Sequence, residues 1–152
     1  MKTILTPLNT LNDLSSNIAK NLNSIALLAL RLYVSWVFFT AGLTKIKDWD
    51  TTLFLFEEEY NVPFLSPEIA AWMGTAGELV LPVLVSLGLL SRFCAFGLFI
   101  VNIVAVISLA DIAPAAMGQH MLWGLSLIVI VLWGAGYFSI DRLTKYLNHQ
   151  ND

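Results

Sequence analysis

The chain has 152 residues, of which 57% are hydrophobic and 12% are charged, and its mean hydropathy is +0.73. A soluble domain carries charged residues at about a quarter of its positions, so half that share means that most of the surface faces lipid. The single cysteine, Cys94, excludes a disulfide or a paired-thiol redox centre within one chain.

Four apolar stretches of 18 to 22 residues follow one another along the chain. Each matches the hydrocarbon core of a bilayer, about 30 Å, at a helical rise of about 1.5 Å per residue. Strands are excluded because the stretches do not alternate between apolar and polar residues, and an open sheet edge is not viable in lipid. The sequence therefore predicts an all-α integral membrane four-helix bundle, with spans at residues 24–44, 69–90, 93–110 and 121–140.

The segment before the first span is amphipathic. Its apolar residues recur every three or four positions, at Leu5, Leu8, Leu11, Leu14, Ile18 and Leu22. This spacing predicts an interfacial helix on the membrane surface. The predicted organisation is therefore an interfacial helix (1–23), a four-span domain (24–140) and a tail (141–152). A short helix is also predicted over residues 50–60, in the loop after the first span.

The distribution of Lys and Arg predicts the orientation. With both termini in the cytoplasm, five basic residues outside the spans are internal: Lys2, Lys20, Arg92, Arg142 and Lys145. Only Lys45 and Lys47 are then external, together with seven acidic residues: Asp48, Asp50, Glu57, Glu58, Glu59, Glu68 and Asp111. Lys45 and Asp111 are predicted at the outer mouth of the bundle. The acidic face would attract cations or a basic partner, or be merely solvated.

Two charged residues, Arg31 and Glu78, lie inside predicted spans. A charge at mid-bilayer costs roughly 2.5–3.5 kcal/mol unless it is paired or hydrated. Helical rise places Arg31, Asn102 and Glu78 at depths of about 10, 15 and 18 Å from the cytoplasmic side. We therefore predict that Arg31 and Glu78 pair and that Asn102 joins them in a buried polar site. The alternative is an ion pair that only holds the bundle in register.

A group of soft metal ligands is predicted near the outer surface. Met117, His120 and Met121 form one run at the entrance to the fourth span, and Met73 lies near the same level on the second. Thioether and imidazole ligands together suit Cu(I). The alternative is ordinary core packing by methionine.

Several short motifs follow one another over about residues 25–142. They are Arg31, Gly42-x-x-Lys45, Val62-Pro63, Gly77-Glu78, Gly88-Leu89, Arg92, Gly134-Ala135-Gly136 and Ser139-Ile140-Asp141. In their order and spacing, these motifs resemble those of the DoxX family of small four-helix membrane proteins. This chain departs in reading Gly-Ala-Gly where many members read Gly-Pro-Gly.

The resemblance implies a multi-pass protein of the bacterial inner membrane. Some relatives are linked to quinone-dependent thiosulfate oxidation and others to membrane redox complexes. The subgroup that this chain resembles most accompanies the maturation of copper-binding, ribosomally made modified peptides. The cofactor would then be copper or a quinone, and the partners would be proteins of a membrane or periplasmic complex. No feature predicts binding to nucleic acid.

Three functions remain open from the sequence. The first is a membrane partner in a redox or copper-linked peptide-maturation system. The second is a quinone-binding subunit of an oxidoreductase, in which Arg31, Glu78 and Asn102 act on a quinone carbonyl. The third is a non-catalytic scaffold. The sequence does not decide whether the protein is an enzyme, and the catalytic residues are unknown.

Overall fold

The computed structural model describes the backbone of residues 5–148 and the side chains of nearly all residues from 22 to 148. Helices dominate this range: α1 (Leu5–Lys47), α2 (Trp49–Glu58), α3 (Pro67–Leu87), α4 (Ser91–Ile107), α5 (Pro114–Trp133) and α6 (Ile140–Asn148). Helices α1, α3, α4 and α5 form a ring, since α1 packs on α3, α3 on α4, α4 on α5 and α5 on α1. We name the two ends of this bundle the Lys45 end, which α2 covers, and the Asp141 end, where α6 begins.

Three helical segments are long and apolar enough to cross a membrane: Leu22–Lys47, Pro67–Leu87 and Pro114–Trp133. Helix α4 is also apolar but has 17 residues, a length of about 25 Å. Large apolar side chains such as Trp36 and Phe93 point away from the bundle, whereas Arg31 and Asn102 are buried. An apolar exterior around a partly polar interior is the arrangement expected of a protein whose solvent is lipid.

The predicted interfacial helix and the first span form one continuous helix, α1. Neither proline nor glycine occurs between Pro7 and Gly42, so no residue in this stretch breaks the helix. The side chains of residues 5–18 lie outside the described part of the chain, and the amphipathic face over them remains a prediction. The short helix predicted after the first span is confirmed as α2.

The boundaries predicted for the fourth span, residues 121–140, are wrong by about two turns. Helix α5 begins at Pro114, where the missing N–H costs nothing in a first helical turn. It ends before Gly134, whose φ of +79° breaks the helix. The residues that follow form an irregular turn and then α6, which sequence reasoning treated only as a tail.

The Asp141 end is joined by hydrogen bonds between distant parts of the chain. Helix α3 ends at Gly88, whose φ is +72°, and a β-carbon there would lie only 2.5 Å from Cβ of Ser139. The Gly88 carbonyl accepts the N–H of Asp141 at 2.9 Å. The Asp141 carboxylate in turn accepts the N–H groups of Leu90 and Ser91 at 2.8 and 2.9 Å, and the Ser91 hydroxyl at 2.7 Å. Asp141 therefore caps the start of α4.

The ionised form of Asp141 is the one that these bonds favour. Burial alone would raise the pKa of Asp141, but the hydrogen bonds from Ser91 and Leu90, with the nearby charge of Lys145, hold the pKa below its ordinary value. A carboxyl whose pKa is depressed by folding stabilises the fold above its unfolded pKa, and that contribution is lost as the pH falls through the folded pKa.

We predict that Asp141→Asn lowers the free energy of unfolding by about 1–2 kcal/mol at pH 7, the usual cost of losing a helix cap. The deficit should persist down to about pH 4 and shrink below it, because the wild-type carboxyl then becomes protonated. Thermal unfolding in detergent across this pH range measures the deficit. A difference that stays constant to pH 2.5 or so would contradict this role of the charge.

Candidate ligand-binding site

Arg31 is 1% exposed and donates hydrogen bonds to four backbone carbonyls. Its Nε bonds to Val85 at 2.9 Å and its Nη2 to Ser86 at 2.6 Å, in the last turn of α3. Its Nη1 bonds to Ala135 at 2.5 Å and Phe138 at 2.9 Å, just after α5. The carbonyl end of a helix carries partial negative charge. Arg31 therefore neutralises the carbonyl end of α3 and joins it to the turn that follows α5.

The predicted pair of Arg31 and Glu78 is wrong. Glu78 forms its ion pair with Lys45, whose Nζ lies 2.5 Å from Oε2 of Glu78. Val85 follows Glu78 by seven residues along α3, about 10 Å of helical rise. The Arg31 side chain extends toward the Asp141 end, and the Lys45 side chain reaches inward from the opposite end.

The spacing of Gly42 and Lys45 explains why lysine reaches the buried carboxylate. A β-carbon at Gly42 would lie 2.9 Å from Cγ of Leu79 and 3.1 Å from Cβ of Glu78. Glycine at this position therefore lets α1 approach α3 closely. Lys45 lies one turn further along α1, at i+3, so its flexible side chain meets Glu78. The Gly42-x-x-Lys45 motif brings two charges of opposite sign together.

A cavity of about 290 Å³ lies next to Glu78, and all four helices of the ring line it. Ligand pockets in proteins have volumes of about 300–1,000 Å³, so this cavity suits a single small ring. Its walls combine aliphatic and aromatic side chains with two hydroxyl groups and two ionisable groups. The lining residues are Val37, Phe38, Thr40, Ala41 and Thr44 of α1, Glu78 of α3, Ala105 of α4, and His120 and Trp123 of α5.

Asn102 orients the imidazole that faces the cavity. Its Nδ2 donates to the backbone carbonyl of His120 at 3.0 Å, and its Oδ1 lies 2.9 Å from Nδ1 of His120. Since Oδ1 can only accept, Nδ1 carries the hydrogen and Nε2 of a neutral ring is left as an acceptor. The imidazole also packs edge-on against Trp123, with ring centroids 4.9 Å apart. Asn102 thus acts through His120, away from Arg31.

Tyr60 lies between the spans at the Lys45 end, within the electrostatic range of Glu78. Burial raises the pKa of Tyr60, and the negative charges of Glu59 and Glu78 raise it further. The phenol therefore stays protonated in the neutral pH range. The adjacent acidic residues, Glu57 and Glu58, are exposed to solvent.

The predicted metal ligands are only partly brought together. Because α5 begins at Pro114, Met117, His120 and Met121 do lie on one helix. Met121 is 63% exposed on α5, and Met73 is 59% exposed on α3, which is diagonal to α5 in the ring. Two side chains that point outward from diagonal helices do not meet, so the structure leaves Met73 apart from the others. Asp111 is exposed before α5 and lines neither the cavity nor the ion pair.

The Lys45–Glu78 pair and the aromatic wall at Trp123 were missed by sequence reasoning. Depth along a helix does not show in which direction a long side chain extends. The glycine three residues before Lys45 was the available indication of close approach to the Glu78 helix. Trp123, one turn after His120 on α5, looked like one of many apolar residues in a lipid-facing span.

The geometry defines a small helical membrane protein that contains a mostly apolar cavity, with two ionisable side chains in its wall, beside the Lys45–Glu78 ion pair. The DoxX family model matches residues 26–111, which include Arg31, Lys45, Glu78 and Asn102. A protein of Haemophilus influenzae described as uncharacterized is 32% identical over 132 residues, 81% of this chain and 85% of that relative. No solved structure matches the chain. The chain belongs to the DoxX family.

We predict that Lys45→Met destabilises the protein by about 3–5 kcal/mol, because Glu78 is left as an uncompensated buried charge. Glu78→Gln should cost less, since the Lys45 ammonium can extend to water, and Lys45→Met with Glu78→Gln should recover most of the loss. Unfolding in detergent measures all four stabilities of this double-mutant cycle.

The matched control is Arg31→Met, which leaves four carbonyls without their donor. Adding Glu78→Gln to Arg31→Met should bring no recovery, because the two side chains share no interaction. If Glu78→Gln recovered the stability lost in Arg31→Met, that result would support a pair of Arg31 and Glu78 and contradict the Lys45–Glu78 pair.

Proposed function

We propose that this protein binds a quinone-class molecule in the cavity beside Glu78 and His120, as the membrane subunit of an oxidoreductase. The observation that carries the proposal is the presence of a carboxylate and an imidazole on a mostly apolar cavity within lipid-spanning helices. A quinone ring is flat and lipophilic, and its two oxygens need hydrogen-bond partners. Apolar walls with a few convergent polar groups are the usual composition of a small-molecule site.

The polar groups of the cavity have distinct roles in this proposal. Nε2 of His120, set by the bond between Nδ1 and Asn102, accepts the hydrogen of a quinol hydroxyl. The Lys45–Glu78 pair contacts the other oxygen, with Lys45 as donor and Glu78 as acceptor. Oxidation of a quinol to a quinone releases two protons and two electrons. His120 and Glu78 take the protons, and a partner protein takes the electrons.

The proposal includes four membrane crossings, with α4 as the short one, and both termini in the cytoplasm. The basic residues at the Asp141 end support this orientation, since Arg92, Arg142 and Lys145 then lie inside. The cavity is then in the outer half of a bacterial inner membrane. Protons leaving Glu78 pass toward Tyr60 and the exposed carboxylates of α2, which face the outer medium.

A second proposal is a role in copper-linked peptide maturation. It is favoured by the early start of α5, which places Met117, His120 and Met121 within two turns of one helix. The free Nε2 of His120 would be the imidazole ligand and the two thioethers would complete a soft site for Cu(I). In this proposal, the protein delivers or removes copper for a periplasmic partner. A scaffold without ligand remains the third alternative.

We predict that decylubiquinone quenches the fluorescence of Trp123, because this side chain lines the cavity. Glu78→Gln and His120→Phe should each weaken binding by about tenfold, the equivalent of one lost hydrogen bond of about 1.4 kcal/mol. Ala105→Leu should abolish binding by filling the cavity. A titration of the purified protein in detergent measures these affinities, and Trp123→Phe identifies the quenched residue.

Two controls accompany this titration. A side chain at Gly118 meets nothing within 4 Å, so Gly118→Ala should bind decylubiquinone as the wild type does. Met117→Leu with Met121→Leu conserves volume and should also leave quinone binding unchanged, whereas the copper proposal requires that it lose Cu(I) in a chelator competition. Binding by Ala105→Leu at wild-type affinity would place the quinone elsewhere.

The orientation can be tested by cysteine labelling in intact cells. We predict that a membrane-impermeant maleimide labels Glu58→Cys and does not label Asn148→Cys until the membrane is opened. The natural Cys94 is buried in the bundle, so the wild type is the background control. If only Asn148→Cys were labelled in intact cells, the protein would have the opposite orientation in the membrane.

A further inference from the structure

Helix α6 presents an apolar face that no other part of the described chain covers. Leu143, Tyr146 and Leu147 are 55%, 62% and 49% exposed, and their i, i+3 and i+4 spacing places them on one face. The charged residues of the helix, Asp141, Arg142 and Lys145, lie on the other side, and none of its residues is buried. A short helix with such segregated faces is typical of a membrane interface.

The position of α6 is set by the bundle. The hydrogen bonds of Asp141 to Leu90 and Ser91 hold the first turn of α6 against the start of α4. Helix α6 therefore begins at the level where α3 and α5 end and α4 starts. Its apolar face continues the exposed apolar surface of α5 and the following turn, which includes Trp133 and Phe138. The same lipid that covers α5 therefore reaches α6.

Two arginines lie at the same level without a carboxylate partner. The guanidinium of Arg142 is 4.2 Å from the ring centroid of Tyr137. Arg92 lies against the backbone at Gly134: a β-carbon added to Gly134 would lie 3.4 Å from Nε of Arg92. Throughout the part of the chain that the structure describes, the ion pair is that of Lys45 and Glu78. Both guanidinium groups therefore border the turn that joins α5 to α6, free to bind an anion.

We propose that this end of the protein binds an anionic phospholipid. The acyl chains pack against Leu143 and Leu147, and the phosphate receives hydrogen bonds from Arg92 and Arg142. Guanidinium groups suit phosphate because they can donate two parallel hydrogen bonds. A net negative headgroup such as phosphatidylglycerol is favoured over phosphatidylcholine, because the choline cation would be repelled by two arginines. A free phosphate ion would not cover the apolar face of α6, whereas the acyl chains of a lipid would.

The experiment uses the full chain in vesicles of phosphatidylcholine, with or without phosphatidylglycerol. An environment-sensitive fluorophore is attached at Leu143→Cys, on the apolar face, or at Asn148→Cys, on the opposite side. Lipids that carry a nitroxide on the acyl chain should quench the label at position 143 several-fold more than at position 148. The quenching should not depend on the ratio of protein to lipid.

Headgroup selection is measured as the ratio of phosphatidylglycerol to phosphatidylcholine that co-purifies from the mixed vesicles. Arg92→Gln with Arg142→Gln should lower this ratio about tenfold, whereas Arg92→Lys with Arg142→Lys, which keeps both charges, should retain most of it. Equal quenching at positions 143 and 148 would overturn the proposal. So would quenching that falls as protein density rises, which indicates a second copy on α6, or a lipid ratio that the glutamine variants leave unchanged.

Discussion

The buried guanidinium of Arg31 is the interaction on which the bundle depends. The last turn of α3 and the turn that follows α5 both bring backbone carbonyls to the Asp141 end, in a medium that offers few hydrogen-bond donors. Arg31 supplies hydrogen bonds to four of these carbonyls from α1, the helix that packs on both α3 and α5. The positive φ of Gly88 and Gly134 ends both helices at the level of this side chain. One residue thus closes the ring at the Asp141 end.

The closure at the Asp141 end separates the two polar centres of the bundle. With Arg31 satisfied by carbonyls, Glu78 takes Lys45 as its partner, and the two polar centres lie in separate halves of the membrane-spanning region. The Asp141 end contains the hydrogen bonds of Arg31 and Asp141, whereas the Lys45 half contains the Lys45–Glu78 ion pair, the hydrogen bonds between Asn102 and His120, and the cavity. Arg31, which closes the Asp141 end, is therefore separate from Glu78, which lines the cavity. A change at the cavity can leave the closure intact.

The sequence predicts the all-α class and the three helices that are long and apolar enough to cross a membrane, because hydropathy and length decide them. It also predicts α2. It places α5 wrongly because Gly134 and Ala135 are apolar enough to extend the span, although backbone conformation ends it there. It also fails for Arg31. An arginine has five donors, and the acceptors of Arg31 are backbone carbonyls. Every residue has such a carbonyl, so the sequence does not show which ones Arg31 binds. Asn102 and Glu78 were correctly placed inside the bundle, but their partners, His120 and Lys45, were assigned to other roles.

Arg31 depends on the backbone of its neighbours and not on their side chains. Ala135 and Phe138 contribute only their carbonyl oxygens, which every residue supplies, proline included. Gly134-Ala135-Gly136 therefore contributes to the closure through its backbone. The family match ends at residue 111, before α5, whose side chains His120 and Trp123 form one wall of the cavity. Helix α5 thus supplies one wall of the cavity, and the turn that follows it supplies two of the carbonyls that bind Arg31.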